Sequence, residues 1–142
     1  VAWAVAVIEP EIVDRLNVYR ASHQAMTEAV LRLQPQPDFV LVDGRKAPRL
    51  PVPHRALVDG DALSPAIGAA SVVAKVVRDR IMERLELLYP GYGLALHKGY
   101  CTRQHRQAVA ELGPTPIHRR SFAPVADCSA LRLKLDGLGQ PR

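Results

Sequence analysis

Residues 39–61 read FVLVDGRKAPRLPVPHRALVDGD, and this stretch decides the fold. Two short apolar runs each end in aspartate: Phe39-Val40-Leu41-Val42 before Asp43, and Ala56-Leu57-Val58 before Asp59-Gly60-Asp61. Brief β-branched runs bounded by turn residues predict short strands, here over residues 38–43 and 54–58. The connection between them is basic and Pro-containing, with Arg45, Lys46 and Arg49; it reads equally as a solvated loop and as a substrate contact. Gly60 is expected to make the tight turn that presents Asp61. Ser64 and Pro65 then read as the N-cap and first position of a long helix. Its apolar stripe is Ile67, Ala70, Ala74, Val77, Ile81, Leu85 and Leu88. Small residues in its first half (Gly68, Ala69, Ala70, Ser71, Ala74) allow close approach to a sheet or a ligand. Strands that end in carboxylates and feed a helix predict an α/β fold with its chemistry at the strand ends.

Upstream, Val1–Ile8 is a continuous apolar run and predicts a buried strand. It is too short to span a membrane and lacks the basic flank of a signal peptide. An opening inside an apolar run, without Met, reads as a start in mid-domain. Glu9-Pro10-Glu11 opens a helix. Ile12, Leu16, Tyr19, His23, Met26, Val30 and Leu33 share one helical face, predicting a single helix that stops before Pro35. His23 on that face reads as a core or boundary residue rather than a ligand.

Downstream, YPGYG at residues 89–93 ends the long helix and leads into a loop carrying His97, Lys98 and Tyr100. Thr102 caps a helix that runs to Leu112 and stops at Gly113-Pro114. From His97 to Arg120 the sequence holds Lys98, Arg103, Arg106, Arg119, Arg120 and three histidines, with Glu111 as the sole acid. The chain divides as a domain over 1–125 and a C-terminal tail over 126–142. With 142 residues, 48% apolar and 23% charged, it is long enough for a real core and too apolar for a disordered segment. A net charge of +5 suits a polyanion partner. Cys101 and Cys128 lack metal-ligand spacing and read as reduced thiols of a cytoplasmic protein.

LVDG, the Gly-Asp of VDGD, AASVVAKVVRDR, YPGYG, HKGY and GPTPIHRRSFAPV, in this order and at these gaps, resemble type 2 ribonuclease H (ribonuclease HII). The resemblance covers residues 8–125. It implies an α/β ribonuclease-H-like mixed sheet flanked by helices. It also implies endonucleolytic cleavage of the RNA strand of RNA–DNA hybrids, and of single ribonucleotides embedded in DNA, with Mn²⁺ or Mg²⁺ as cofactor and no membrane partner. In its complete form such an enzyme is expected to be a monomer. Family members open with a strand carrying adjacent Asp-Glu followed by Gly-Arg-Gly, and no residues here match that segment. The chain therefore reads as N-terminally truncated and, as written, inactive or nearly so.

By the same resemblance, Asp43 and Asp61 match the third and fourth carboxylates of the family's metal site. Either aspartate alone reads as a turn former before or after glycine; together they suit two-metal phosphodiester cleavage by oxygen donors. Tyr100 matches the tyrosine that stacks on the sugar at the DNA–RNA junction, and Lys98 beside it suits a phosphate. Ser71 and Lys75 are candidate phosphate contacts, with helix packing and solvent as the plainer alternative. HRRSF reads as a phosphate contact or as an anchor for the C-terminal turn. Asp59 stands where the family usually has a basic residue and is expected to face solvent. The reading from another class is a non-catalytic nucleic-acid-binding domain that has lost half of the metal site.

Overall fold

Both apolar runs form strands, β1 (Val40–Asp43) and β2 (His54–Leu57). They pair in parallel, Val40 with His54 through to Asp43 with Leu57. Parallel pairing brings both C-terminal ends, and so Asp43 and the Asp59-Gly60-Asp61 turn, to the same edge of the sheet. The structure, a computed structural model, describes residues 1–123, 125 and 126. Among these the sheet has two strands. The helices are α1 (Pro10–Leu16), α2 (Val18–Arg32), α3 (Gly60–Leu63), α4 (Pro65–Leu88), α5 (Leu94–His97) and α6 (Arg103–Leu112).

Contacts divide the chain into two compact units. The first comprises Val1–Ile8 and Leu16–Val77; the second comprises Glu9–Arg15 and the chain from Arg78 onward. In the first unit the buried apolar residues are Ala21, Val30, Val42 and Ile67. In the second, Tyr92, Leu94, Ala108, Val109 and Val125 form a core against which Met82, Leu85, Tyr89 and Ile117 pack.

Several expectations hold at the residue level. Pro65 opens α4. The Thr102 hydroxyl accepts the His105 N–H and caps α6, and Gly113 ends it with φ 83°. His23 is half-buried beside Tyr19, ring centroids 4.3 Å apart. The tail from residue 127 lies outside the described residues.

Others are corrected. Val1–Ile8 forms no strand, and Trp3 and Val7 are exposed. An apolar run becomes a strand only against a pairing edge, and β1 and β2 pair only with each other among the described residues. The expected single helix breaks into α1 and α2 at Asn17, whose backbone is left-handed (φ 70°) and whose side chain caps Arg20 N–H at 3.1 Å. An asparagine that satisfies an orphan donor offsets the cost of interrupting a helix. The segment after YPGYG holds a short helix, α5, where a loop was expected. Its first amides are gathered by the Glu86 carboxylate, which accepts from Leu94 and Ala95 N–H and also from Gly91 N–H. The apolar stripe of α4 is narrower than its periodicity predicts: Ile67 is buried and Val77, Ile81 and Leu85 half-buried, but Ala70, Ala74 and Leu88 are exposed.

Candidate active site

The turn after β2 shapes the carboxylate corner. Asp59, not Gly60, takes the left-handed backbone, with φ 53°. Gly60 is required for space: a Cβ there would lie 2.7 Å from Ile67 Cδ1, 3.2 Å from Asp43 Oδ1 and 3.3 Å from Leu57 Cβ. Its bare backbone lets the N–H of Gly60 donate to Asp43 Oδ1 at 2.8 Å. Asp61, the next residue, lies in the first turn of α3 and accepts the Ala62 N–H at 2.9 Å. Asp43 and Asp61 are thus joined through a single residue, and both side chains are exposed. Beside Asp43 the first unit has an open recess that Arg45, Lys46, Tyr19 and His23 help to line.

Two carboxylates make an oxygen-only donor set of the kind that hard divalent cations take. Asp59 is exposed and does not complete a larger one: among the described residues no group of three or more His, Cys, Asp or Glu is arranged to hold a metal ion. Ser71 and Lys75, at i,i+4 spacing on α4, are exposed in the same unit.

Tyr100 and Lys98 belong to the second unit. Tyr100 is 58% exposed. Arg78 lies over it at 5.2 Å and donates to the Lys98 carbonyl at 2.9 Å. Lys98 has a left-handed backbone (φ 51°), and its Nζ pairs with Glu83 at 2.6 Å. Gly99 passes so close to α4 that a Cβ would meet Met82 Sδ at 3.2 Å.

A family model described as Ribonuclease HII matches residues 3–125. The chain belongs to the ribonuclease HII family. Ribonuclease HII of Anaeromyxobacter sp. (strain Fw109-5) is 54% identical over 131 residues, 92% of this chain and 42% of that protein. Ribonuclease HII of Dichelobacter nodosus (strain VCS1703A) is 52% identical over 126 residues, 89% of this chain and 67% of that protein. That of Myxococcus xanthus (strain DK1622) is 53% identical, and the match covers 92% of this chain and 45% of the relative. The chain therefore spans less than half the length of two of these relatives and two thirds of the third. The crystal structure of ribonuclease H2 from Pyrococcus horikoshii OT3 superposes with a TM-score of 0.74 at 20% identity, over 91% of this chain and 69% of that one. It establishes the ribonuclease H2 fold, the α/β class expected from the sequence.

Within this ribonuclease HII chain, HRRSF serves as an anchor. The Asp14 carboxylate accepts the N–H of Arg120 at 2.7 Å and of Ser121 at 3.1 Å, together with the Ser121 hydroxyl. Desolvation pushes the Asp14 pKa up, but these bonds and the nearby Arg119 charge prevail and hold it below the ordinary carboxylate value. Sequence reading missed Arg78 over Tyr100, the Glu83–Lys98 pair and the grouping of His97, His105 and His118. The i,i+4 rule finds neither pair, because their members lie on different elements. Among the described residues no helix is long and apolar enough to cross a membrane.

Proposed function

We propose that this chain carries part of the catalytic domain of an endonuclease that cuts the RNA strand of RNA–DNA hybrids and single ribonucleotides embedded in DNA. Cleavage would leave 5′-phosphate and 3′-hydroxyl ends. The observation that carries the reading is the Asp43–Gly60–Asp61 corner at the ends of two parallel strands, in a chain of this family. Asp43 and Asp61 would hold a divalent cation, Mg²⁺ or Mn²⁺. When bound, such an ion supplies charge stabilisation and an activated water. Tyr100 offers its exposed face to the ribose. Ser71, Lys75 and Lys98 offer hydroxyl and ammonium groups to backbone phosphates, which position a strand without reading its sequence.

Asp43 and Asp61 are two of the four carboxylates that the family resemblance implies, so the 142-residue polypeptide alone is expected to turn over little or no substrate. The test places a segment carrying the Asp-Glu and Gly-Arg-Gly that the family resemblance implies ahead of Val1. Both forms are assayed on a labelled DNA duplex containing one ribonucleotide, with Mg²⁺ or Mn²⁺. Cleavage by the extended form alone supports the reading. Comparable turnover by the 142-residue chain would mean that other groups complete the site. Binding without cleavage by either form would favour the non-catalytic domain instead. In the extended form, Tyr100→Ala is expected to harm cleavage at a single embedded ribonucleotide more than cleavage of a long hybrid, because a lone 2′-hydroxyl offers one sugar to recognise. Equal losses on the two substrates would count against Tyr100 as the ribose contact.

A further inference from the structure

We propose that His105 is a positioning residue for Tyr100, fixing the backbone of the 98–100 loop as one member of a hydrogen-bonded array of three histidines. The inference rests on the reading of Tyr100 as the ribose contact.

Backbone donors set each tautomer. Thr115 N–H donates to His118 Nδ1 at 3.1 Å, which places the His118 proton on Nε2. That Nε2–H donates to His105 Nε2 at 3.1 Å. The His105 proton then sits on Nδ1 and is given to the Tyr100 carbonyl at 3.0 Å. His97 follows the same logic: Gly99 N–H donates to its Nδ1 at 3.2 Å, and its Nε2–H goes to the Tyr92 carbonyl at 2.7 Å. His97 stacks on His105, centroids 4.3 Å apart and rings 19° from parallel. The backbone of Gly99 and Tyr100 is therefore held by two imidazoles, one as acceptor and one as donor.

A proton added at His105 Nε2 would face the His118 N–H, and one at His118 Nδ1 would face the Thr115 N–H beside the Thr115 hydroxyl at 2.8 Å. The groups around it offer no compensating charge. Tyr92 packs on His118 at 5.1 Å. Of the α4 acids, Glu86 is engaged by the Gly91, Leu94 and Ala95 amides and Glu83 by Lys98. Burial, with the neighbouring imidazoles, lowers the proton affinity of both His105 and His118.

The test measures the affinity of the chain for a labelled DNA duplex with one ribonucleotide relative to an all-DNA duplex of the same sequence. It compares the unaltered chain with Tyr100→Ala, His105→Ala and His105→Asn. At pH 7.5 Tyr100→Ala is expected to abolish the preference and His105→Ala to reduce it by about fivefold, the size of one net hydrogen bond. His105→Asn, whose amide N–H can replace Nδ1–H, should restore most of it. Long-range ¹⁵N NMR should show Nδ1–H on His105 and Nε2–H on His97 and His118. No preference in the unaltered chain, or one that survives Tyr100→Ala, overturns the reading of Tyr100 and this inference with it. A preference lost in Tyr100→Ala but intact in His105→Ala overturns this inference alone. Should His105→Ala fail to fold, the ¹⁵N NMR of the unaltered chain decides: a proton on Nε2 in place of Nδ1 of His105 rules the positioning role out.

Discussion

At the edge of β1 and α3 the first unit leaves Asp43, Asp59 and Asp61 exposed, each with at least part of its charge in water. The second unit instead folds His97 and His118 into its interior and gives every ring nitrogen of its three grouped histidines a partner. Groups destined for an external ligand must keep lone pairs available. Groups that hold a fold must spend them internally, because an unpaired buried polar atom is costly. No buried side-chain nitrogen or oxygen among the described residues lacks a partner. The contrast separates carboxylates left available to an external ligand from imidazoles engaged within the fold.

The sharpest way to break this contrast is at the corner itself. In the form extended by the Asp-Glu segment, Asp43→Asn or Asp61→Asn is expected to lower cleavage by more than about 100-fold, beyond the cost of losing an outer-shell partner of a metal, while thermal melting changes little. A large loss of stability with modest loss of cleavage would make the corner structural. Support residues should behave oppositely. Glu86→Ala strips a carboxylate from the amides that open α5 and should cost about 1–3 kcal/mol in urea unfolding, the usual penalty for unsatisfied buried donors. An unchanged midpoint would show that water replaces it. Gly60→Ala tests whether the corner depends on close packing. Its Cβ must push aside the tip of buried Ile67, a relaxation worth about 1–2 kcal/mol, with Asp43 displaced from the Gly60 amide; a melt identical to that of the unaltered chain would contradict the geometry.

The smallest effect expected is one of pH. His105 and His118 have proton affinities lowered from the ordinary value of 6.5 by burial and by neighbouring imidazoles. The unfolded chain therefore binds more protons than the folded one as pH falls below that value. The stability contributed by these residues is complete above about pH 6.5 and declines below it, down through their lowered folded-state values. Hydrogen exchange at pH 7.5 and 5.5 should show protection lost preferentially in α5 and α6, with β1 and β2 less affected. Equal loss in both units would remove the distinction.

Much of this was legible in the sequence because the signals were local. Pro65 at a helix start, Thr102 as a cap and Gly113 as a stop each act within one turn, and Asp43 stands directly after its apolar run with Asp61 in the turn that follows the other. What escaped depended on partners distant in the chain. A hydrophobic run such as Val1–Ile8 records a capacity for burial and does not record whether a pairing edge is present. The α5 helix, Leu94–His97, is too short for periodicity and takes its N-terminal support from Glu86 on another helix. Asn17 did carry a signal, its preference for N-caps, but the continuous apolar face on either side outweighed it. His97, His105 and His118 form no short motif and meet only because α5, α6 and the following turn share one core.

Asp59 has a backbone that aspartate, asparagine and glycine tolerate better than most side chains do. The position favours a dihedral angle, and the residue is exposed where Gly60 is buried. Replacing Asp59 by asparagine or glycine would therefore remove one negative charge, and ease the local repulsion of a passing polyanion, without rebuilding the turn that carries Asp61.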